Sequence, residues 1–242
     1  MAFSDVSLPQ AKAGGTRAAV IDTVARLVAE VAGIVADPGI GEADIVRCLD
    51  RGLLAVAGAA RLPDLATEEL LSLEPGQDCV PVPADWQHGP THAFLLPGRD
   101  RIRALPNLAA LRLRSAGRPR RGRIRALALS GGQLHVWPIP ECPCSLLVGY
   151  FRLPDPLAGA PDKPLCLPPH LVGPLLVNCA CRELFERLEE GVGDRKVQTT
   201  AYARRFDDAL AELLTLYGPR QEEPVDVSGG PILPDRLAGI WV

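Results

Sequence analysis

From residue 131 to residue 217 the chain calls for two short strands, a proline-clamped crossing and a pair of amphipathic helices. That unusual order limits the architectures open to it. The stretch reads GGQLHVWPIPECPCSLLVGYFRLPDPL, then a Pro-punctuated loop ending KPLCLPPH, then the helices. An alternating run at 124–129 is answered by 134–137 across the Ser130-Gly131-Gly132 turn, which predicts a hairpin. Residues 145–152, with Leu147, Tyr150 and Phe151, are expected as a third strand beside it. Pro138, Pro140 and Pro143 lack the amide donor a ladder needs, so the link into that strand is rigid. A helix is predicted over 168–190, opening on Pro168-Pro169 where a missing N–H costs nothing. It turns Leu171, Val172, Leu175, Leu176, Cys179, Leu184 and Leu188 inward, with Pro174 as a kink. Gly191 and Gly193 end it. The last helix, over 195–217, carries the stripe Tyr202, Phe206, Leu210, Leu213 and Tyr217.

The N-terminal part repeats the helical pattern. After an arm at the start, a helix is expected over 16–36, with Val20, Ile21, Val24, Leu27, Val28, Val31, Ile34 and Val35 along one stripe. Asp37-Pro38-Gly39 stops it. A second helix over 42–60 turns Ile45, Val46, Leu49, Leu53 and Val56 inward. The short loop between them predicts antiparallel packing, and the alanines and glycines on both permit close approach. From 62 to 113 the pattern is weak. Residues 65–73 read as a short helix and 76–82 as an edge strand limited by Pro75, Pro81 and Pro83. Residues 94–96 and 109–113 are poor strand candidates.

The chain has 242 residues, 47% of them hydrophobic, enough for one substantial core or a core with an appended unit. A net charge of −3 means that any nucleic-acid contact must be local. The 24 prolines and 23 glycines imply long, stiffened connections. The N-terminus has neither the basic region nor the apolar core of a signal peptide. Asp22, Arg26 and Glu30 interrupt the best candidate for a membrane span. Seven irregularly spaced cysteines point to reduced thiols in a cytosolic folding compartment.

Motifs that carry chemistry are scarce. His88 and His92 have the spacing of helical metal ligands, but Pro90 between them argues against a helix, and loop histidines are the plainer reading. Cys142/Cys144 and Cys179/Cys181 each enclose a single residue, closer than zinc ligand pairs usually stand. No Gly-x-Ser-x-Gly elbow occurs. Gly191-Val-Gly-Asp-Arg-Lys196 follows a helix where a phosphate loop needs a strand. Glu189-Glu190 and Asp207-Asp208 are expected on solvated helical faces. No nucleophile, base and orienter can be nominated together, so a hydrolase is the weakest reading, and neither catalytic residue, metal nor cofactor is expected.

Charge and the chain's end are more telling. Residues 99–125 hold ten arginines against one acid, Asp100. Arg112, Arg114, Arg118, Arg120, Arg121, Arg123 and Arg125 are the candidate contacts, read as a mobile basic loop for DNA phosphates or an acidic protein surface. The Pro/Gly-rich end, with Ile232, Leu233, Leu237, Ile240, Trp241 and Val242, cannot form a core alone and is expected to dock on a partner, for instance as an added strand. The fold class is therefore α+β: mainly a helical bundle of two N-terminal and two C-terminal helices, with a β-rich central insertion and an extended C-terminal tail. The expected division is a flexible arm (1–15), a bundle (16–61 and 168–218), a Pro/Arg-rich insertion (62–167) and a docking tail (219–242).

QLHVWPIP, SLLVGYFRLPDPL, PLCLPPHLVGPLLVNCACRELFE and AYARRFDDALAELL, taken in order, resemble the head-to-tail adaptor (head completion, or connector) proteins of tailed bacteriophages. The resemblance covers about residues 16–217. It implies a non-enzymatic virion protein at the head–tail interface, assembled in the host cytoplasm as a homo-oligomeric ring, commonly of twelve copies. Such a ring docks on the portal protein after packaging, receives tail or nozzle proteins, and passes genomic DNA through its lumen, with no membrane involved. The alternative is a DNA-binding or regulatory module that uses residues 99–125.

Overall fold

The computed structural model describes residues 23–115, 120–157, 166–189 and 196–219. Its first helix, α1 (Val24–Val35), begins where Thr23 caps it, the hydroxyl accepting from Arg26 N at 3.4 Å. The expected start at 16 is therefore too early; Val20 and Ile21 lie outside the described residues. Ala36, at φ 51°, closes the helix in the left-handed region. α2 (Glu42–Ala59) follows, with Asp44 accepting from Gly41 N at 3.3 Å and Glu42 and Asp44 placed against the positive helix end.

In the C-terminal part the single helix expected over 168–190 is compound. α4 (Pro169–Val172) runs into a π-helical stretch, Gly173–Val177, and then α5 (Asn178–Leu188). The widened turn falls where Pro174 has no N–H to give, and Asn178 Nδ2 donates to the Pro174 carbonyl at 2.6 Å. α6 (Val197–Tyr217) returns along α5.

These helices share one apolar core. Leu27, Leu49, Leu175, Leu176, Leu184 and Leu213 are fully buried in it. Each such side chain contributes about 1.5–3 kcal/mol relative to exposure. Three stripe positions depart from expectation: Ile34, Leu188 and Tyr217 are more than a third exposed, each in the last turn of its helix.

The middle of the chain folds into two sheets. The first has the order β1 (Ala66–Leu73), β8 (Cys144–Arg152), β3 (Trp86–Leu96) and β4 (Asp100–Arg101), with antiparallel pairing throughout. The second has the order β2 (Cys79–Pro81), β7 (Gln133–Trp137), β6 (Ala126–Ser130) and β5 (Arg103–Leu105), the last pair parallel. Leu71, Leu73, Leu95, Leu146 and Val148 of the first sheet meet Val80, Leu127, Leu134 and Val136 of the second in one dry layer. α3 (Leu108–Arg114) packs on β5 and β6 through Leu111, against Ala126 and Ala128.

Several expectations change here. Residues 65–73 are largely a strand, not a helix; pairing of β1 with β8 along its whole length outweighs local propensity. Residues 94–96 end the longest strand, and 109–113 are helical because Asn107 Oδ1 caps Ala110 N at 2.8 Å. The 126–137 hairpin forms as read, with Gly131 and Gly132 at φ 57° and 73° as its tight turn demands. β8, however, does not join that hairpin. It crosses to the other sheet, between β1 and β3.

The helical core and the sheets touch directly. Phe151 of β8 packs against the helical core. Asp50 of α2 accepts from Leu157 N at 2.7 Å, and Ala60 bridges to Pro219.

Candidate assembly surfaces

The arginine-rich stretch is held on a scaffold. Arg112 and Arg114 lie in α3, whose last turn is closed by Ser115 Oγ donating to Arg112 O at 2.8 Å. Arg120, Arg121, Arg123 and Arg125 are exposed on an extended segment leading into β6. Ile139 N donates to Arg120 O at 2.8 Å, Gly122 N to Ile139 O at 2.9 Å, and Arg125 N to Trp137 O at 2.9 Å. Arg103 N of β5 donates to Arg125 O at 3.1 Å. The expected mobile loop is therefore, over 120–125, backbone tied to two neighbouring segments, with Ile124 buried as its anchor. Arg118 lies outside the described residues. Arg123 forms an ion pair with Asp100 of β4, which links this segment to the other sheet's edge.

Arg99 and Arg101 stand exposed on the same side, and Arg103 is half-buried there. These three were not among the candidate contacts, although they belong to the same arginine-rich stretch. Leu113, between Arg112 and Arg114, is 82% exposed.

Acids gather on β1 and the turn that follows it, and that turn lies one strand from the arginine segment, with Gly76 N donating to Pro140 O at 2.9 Å. β1 is an edge strand carrying Glu68 and Glu69, and Glu74 and Asp78 flank the turn into β2. Glu68 reaches across the sheet to His92, its Oε1 2.9 Å from Nε2. The imidazole passes over Gly149 of β8, where any Cβ would collide with the ring. Thr91 Oγ1 holds Nδ1 at 3.1 Å. His88 and His92 thus stand in a bulged strand instead of a loop, and His92 has a carboxylate partner.

Nearby, Tyr150 is buried and stacked on Trp86, with ring centroids 4.6 Å apart. Its hydroxyl donates to Asp85 Oδ1 at 2.8 Å and lies 3.2 Å from Glu69 Oε2. Burial first, then the hydrogen bond to Asp85 and its negative charge, drive the phenol pKa well above its ordinary value.

The two buried thiols of α5, Cys179 and Cys181, are inert by environment. Burial pushes Cys179 up to about 11 and Cys181 up to about 12, so neither is a thiolate near neutrality. No group of His, Cys, Asp and Glu able to hold a metal occurs among the described residues. An open hollow of about 280 Å³ lies between α1, the π-helical stretch and α6, lined by Glu30, Ile34, Pro174, Asn178, Tyr202 and Arg205 among others. Glu189, expected on a solvated face, instead caps α6: its carboxylate accepts from Gln198 N, Thr199 N and Thr199 Oγ1 at 2.9, 3.2 and 2.7 Å. The tail residues Ile232, Leu233, Leu237, Ile240, Trp241 and Val242 lie outside the described residues. No helix among the described residues is long and apolar enough to cross a membrane.

A helical core joined to a two-sheet unit with charged, exposed edges defines an α+β protein whose distinctive chemistry lies on its surface. Residues 18–229 match the model of the SU10 adaptor protein family, and the chain belongs to that family. It is accordingly a phage adaptor, a structural protein of the virion. No curated protein matches the chain.

Proposed function

We propose that this protein is a non-enzymatic head-to-tail adaptor that docks as a ring on the portal after DNA packaging and presents a platform for tail attachment. The helices pack as a bundle and form the ring body. The two-sheet unit projects from it, and the tail segment around Ile240 and Trp241 anchors to the portal. Genomic DNA leaves through the lumen. The observation that carries this reading is the family match, which spans both the helical core and the sheets. Electron microscopy of the purified chain, with and without portal protein, tests it. Rings seated on portal are the expected result; a monomer indifferent to portal overturns it.

A second reading, a DNA-binding module, is favoured by the exposure of Arg120, Arg121, Arg123 and Arg125 on one fixed segment. It requires duplex affinity that falls steeply with salt.

A further inference from the structure

A sheet edge left open is a place where another strand can pair. Among the described residues the two sheets have four edge strands, and three of them are blunt. β4 has two residues, β5 three, and β2 three with Pro81 among them. β1 is different. It runs for eight residues with no proline, lysine or arginine, in unbroken register with β8. Among the described residues β8 is its one ladder partner; β2 follows it through the turn at 74–78 but lies in the other sheet.

A row of apolar side chains also ends there unfinished. Leu71, Leu95, Leu146 and Val148 face the dry layer, so alternation puts Leu70, Leu147 and Phe94 on the opposite face. These three are register neighbours across β1, β8 and β3. Leu70, at the open end, is 53% exposed. A strand added beside β1 would continue the row over it.

A second copy's β1 is a poor occupant, because pairing two β1 strands gathers the carboxylates of Glu68 and Glu69 from both copies on one short ladder. The chain's own tail fits better. It leaves the helical core at Pro219, which is bridged to Ala60, six residues before β1 begins. At about 3.3 Å per residue, the start of β1 is within about 20 Å of that bridge, and residues 220–234 can span about 50 Å. The residues that follow, Asp235 through Val242, are free of proline and long enough to pair with the whole of β1. They alternate Leu237 and Trp241 with Ile240 and Val242.

We propose that in the free chain residues 235–242 add to the open edge of β1 as a fifth strand of the first sheet, and that the portal competes with β1 for them. The contact itself goes beyond the adaptor reading; only the competition rests on it. Backbone hydrogen bonds supply the pairing, and Leu70 gives the alternate side chains an apolar neighbour. Tethering within one chain raises the segment's local concentration to about the millimolar range, so a short ladder suffices.

Hydrogen–deuterium exchange of the full chain, read on peptides from β1 and from 235–242, tests it. One variant, Leu237→Pro with Ala238→Pro, removes adjacent amides, so that one of them must have faced β1. The other, Leu70→Lys, blunts the edge and leaves the ladder with β8 in place. Ser228→Pro, outside the segment, is the control. Folding is checked by circular dichroism and by unchanged exchange in β3. In the parent, 235–242 should exchange about tenfold or more slowly than in Leu70→Lys, and the β1 amides that face away from β8 should quicken by a similar factor in both variants. Ser228→Pro should change neither. A parent whose 235–242 exchanges as fast as in Leu70→Lys, or folded variants that leave β1 unchanged, overturn the proposal. Protection that falls on dilution makes a neighbouring copy's tail the occupant and overturns it as well. Added portal protein should release β1. If portal binds while β1 and 235–242 stay protected, the competition and the tail's part in portal docking fall, and the strand contact stands. If the chain shows the protection but ignores portal, the adaptor reading falls alone.

Discussion

Gly52 offers a test of how the helical core is assembled. It lies buried in α2 where that helix crosses α5. A Cβ added there would meet Cys179 Cβ at 3.1 Å, Cys179 Sγ at 3.2 Å and Leu176 Cδ2 at 3.7 Å. Two effects oppose each other in Gly52→Ala. Alanine gains about 1 kcal/mol of helix propensity over glycine. Overpacking a dense core costs about 1–3 kcal/mol. The nearest contact is a Cβ fixed to the α5 backbone, which no rotamer change can remove. α2 and α5 must move apart by tenths of an ångström, which loosens Leu49, Leu53 and Leu176 together, so the packing cost wins. A net loss of about 1 kcal/mol is expected, growing to 3 or more for Gly52→Leu. Gly58, exposed in the same helix with open space around its Cα, is the control: Gly58→Ala should gain about 0.5–1 kcal/mol. Adding Cys179→Ala to Gly52→Ala removes the sulfur contact and should return part of the loss. Urea unfolding followed by circular dichroism reads all four chains. If Gly52→Ala proves as stabilising as Gly58→Ala, the close approach of α2 to α5 is refuted.

Three further outcomes follow from named contacts. Tyr150→Phe should lose about 1 kcal/mol near neutrality. Because folding raises the phenol's pKa, that advantage is full below its ordinary value of 10.0 and disappears as pH rises through the folded value, so parent and variant should converge in alkali; a constant gap refutes it. Hydrogen bonds from Thr199, then from Gln198, hold Glu189 below its ordinary 4.5, so its stabilisation is present above that value and lost as pH falls through the folded one. Glu189→Ala should therefore be less stable than the parent near neutrality and match it in strong acid, as measured by urea midpoints across pH. Asn107→Ala removes the cap of α3 and should cost about 1 kcal/mol, with faster amide exchange across Leu108–Arg114 as the local readout.

The helices were readable because their apolar period and their stops agree: α2 ends within a residue of expectation, and Gly131-Gly132 announces its hairpin. The rest of the sheets was hidden for physical reasons. In β1 the doublet Leu70-Leu71 imitates a helical stripe, yet only Leu71 is buried, and the strand exists because of β8, a partner far along the chain. In β3 the irregularity between Trp86 and His92 breaks the alternation that marks a strand. β4 and β5 are too short to show a period at all. The arginines were visible as composition, whereas their fixed placement depends on backbone bonds to Trp137 and Ile139. The acids around β1 were missed because they are spread over one strand and the turn after it; the signal was the lack of any lysine or arginine from Leu62 to Gly98.

Electron microscopy of the full chain bound to portal, at a resolution that traces strands, addresses the central claim most directly. The account predicts a closed ring of copies seated on the portal. Copies seated singly on portal, or a chain that does not bind portal at all, would contradict it.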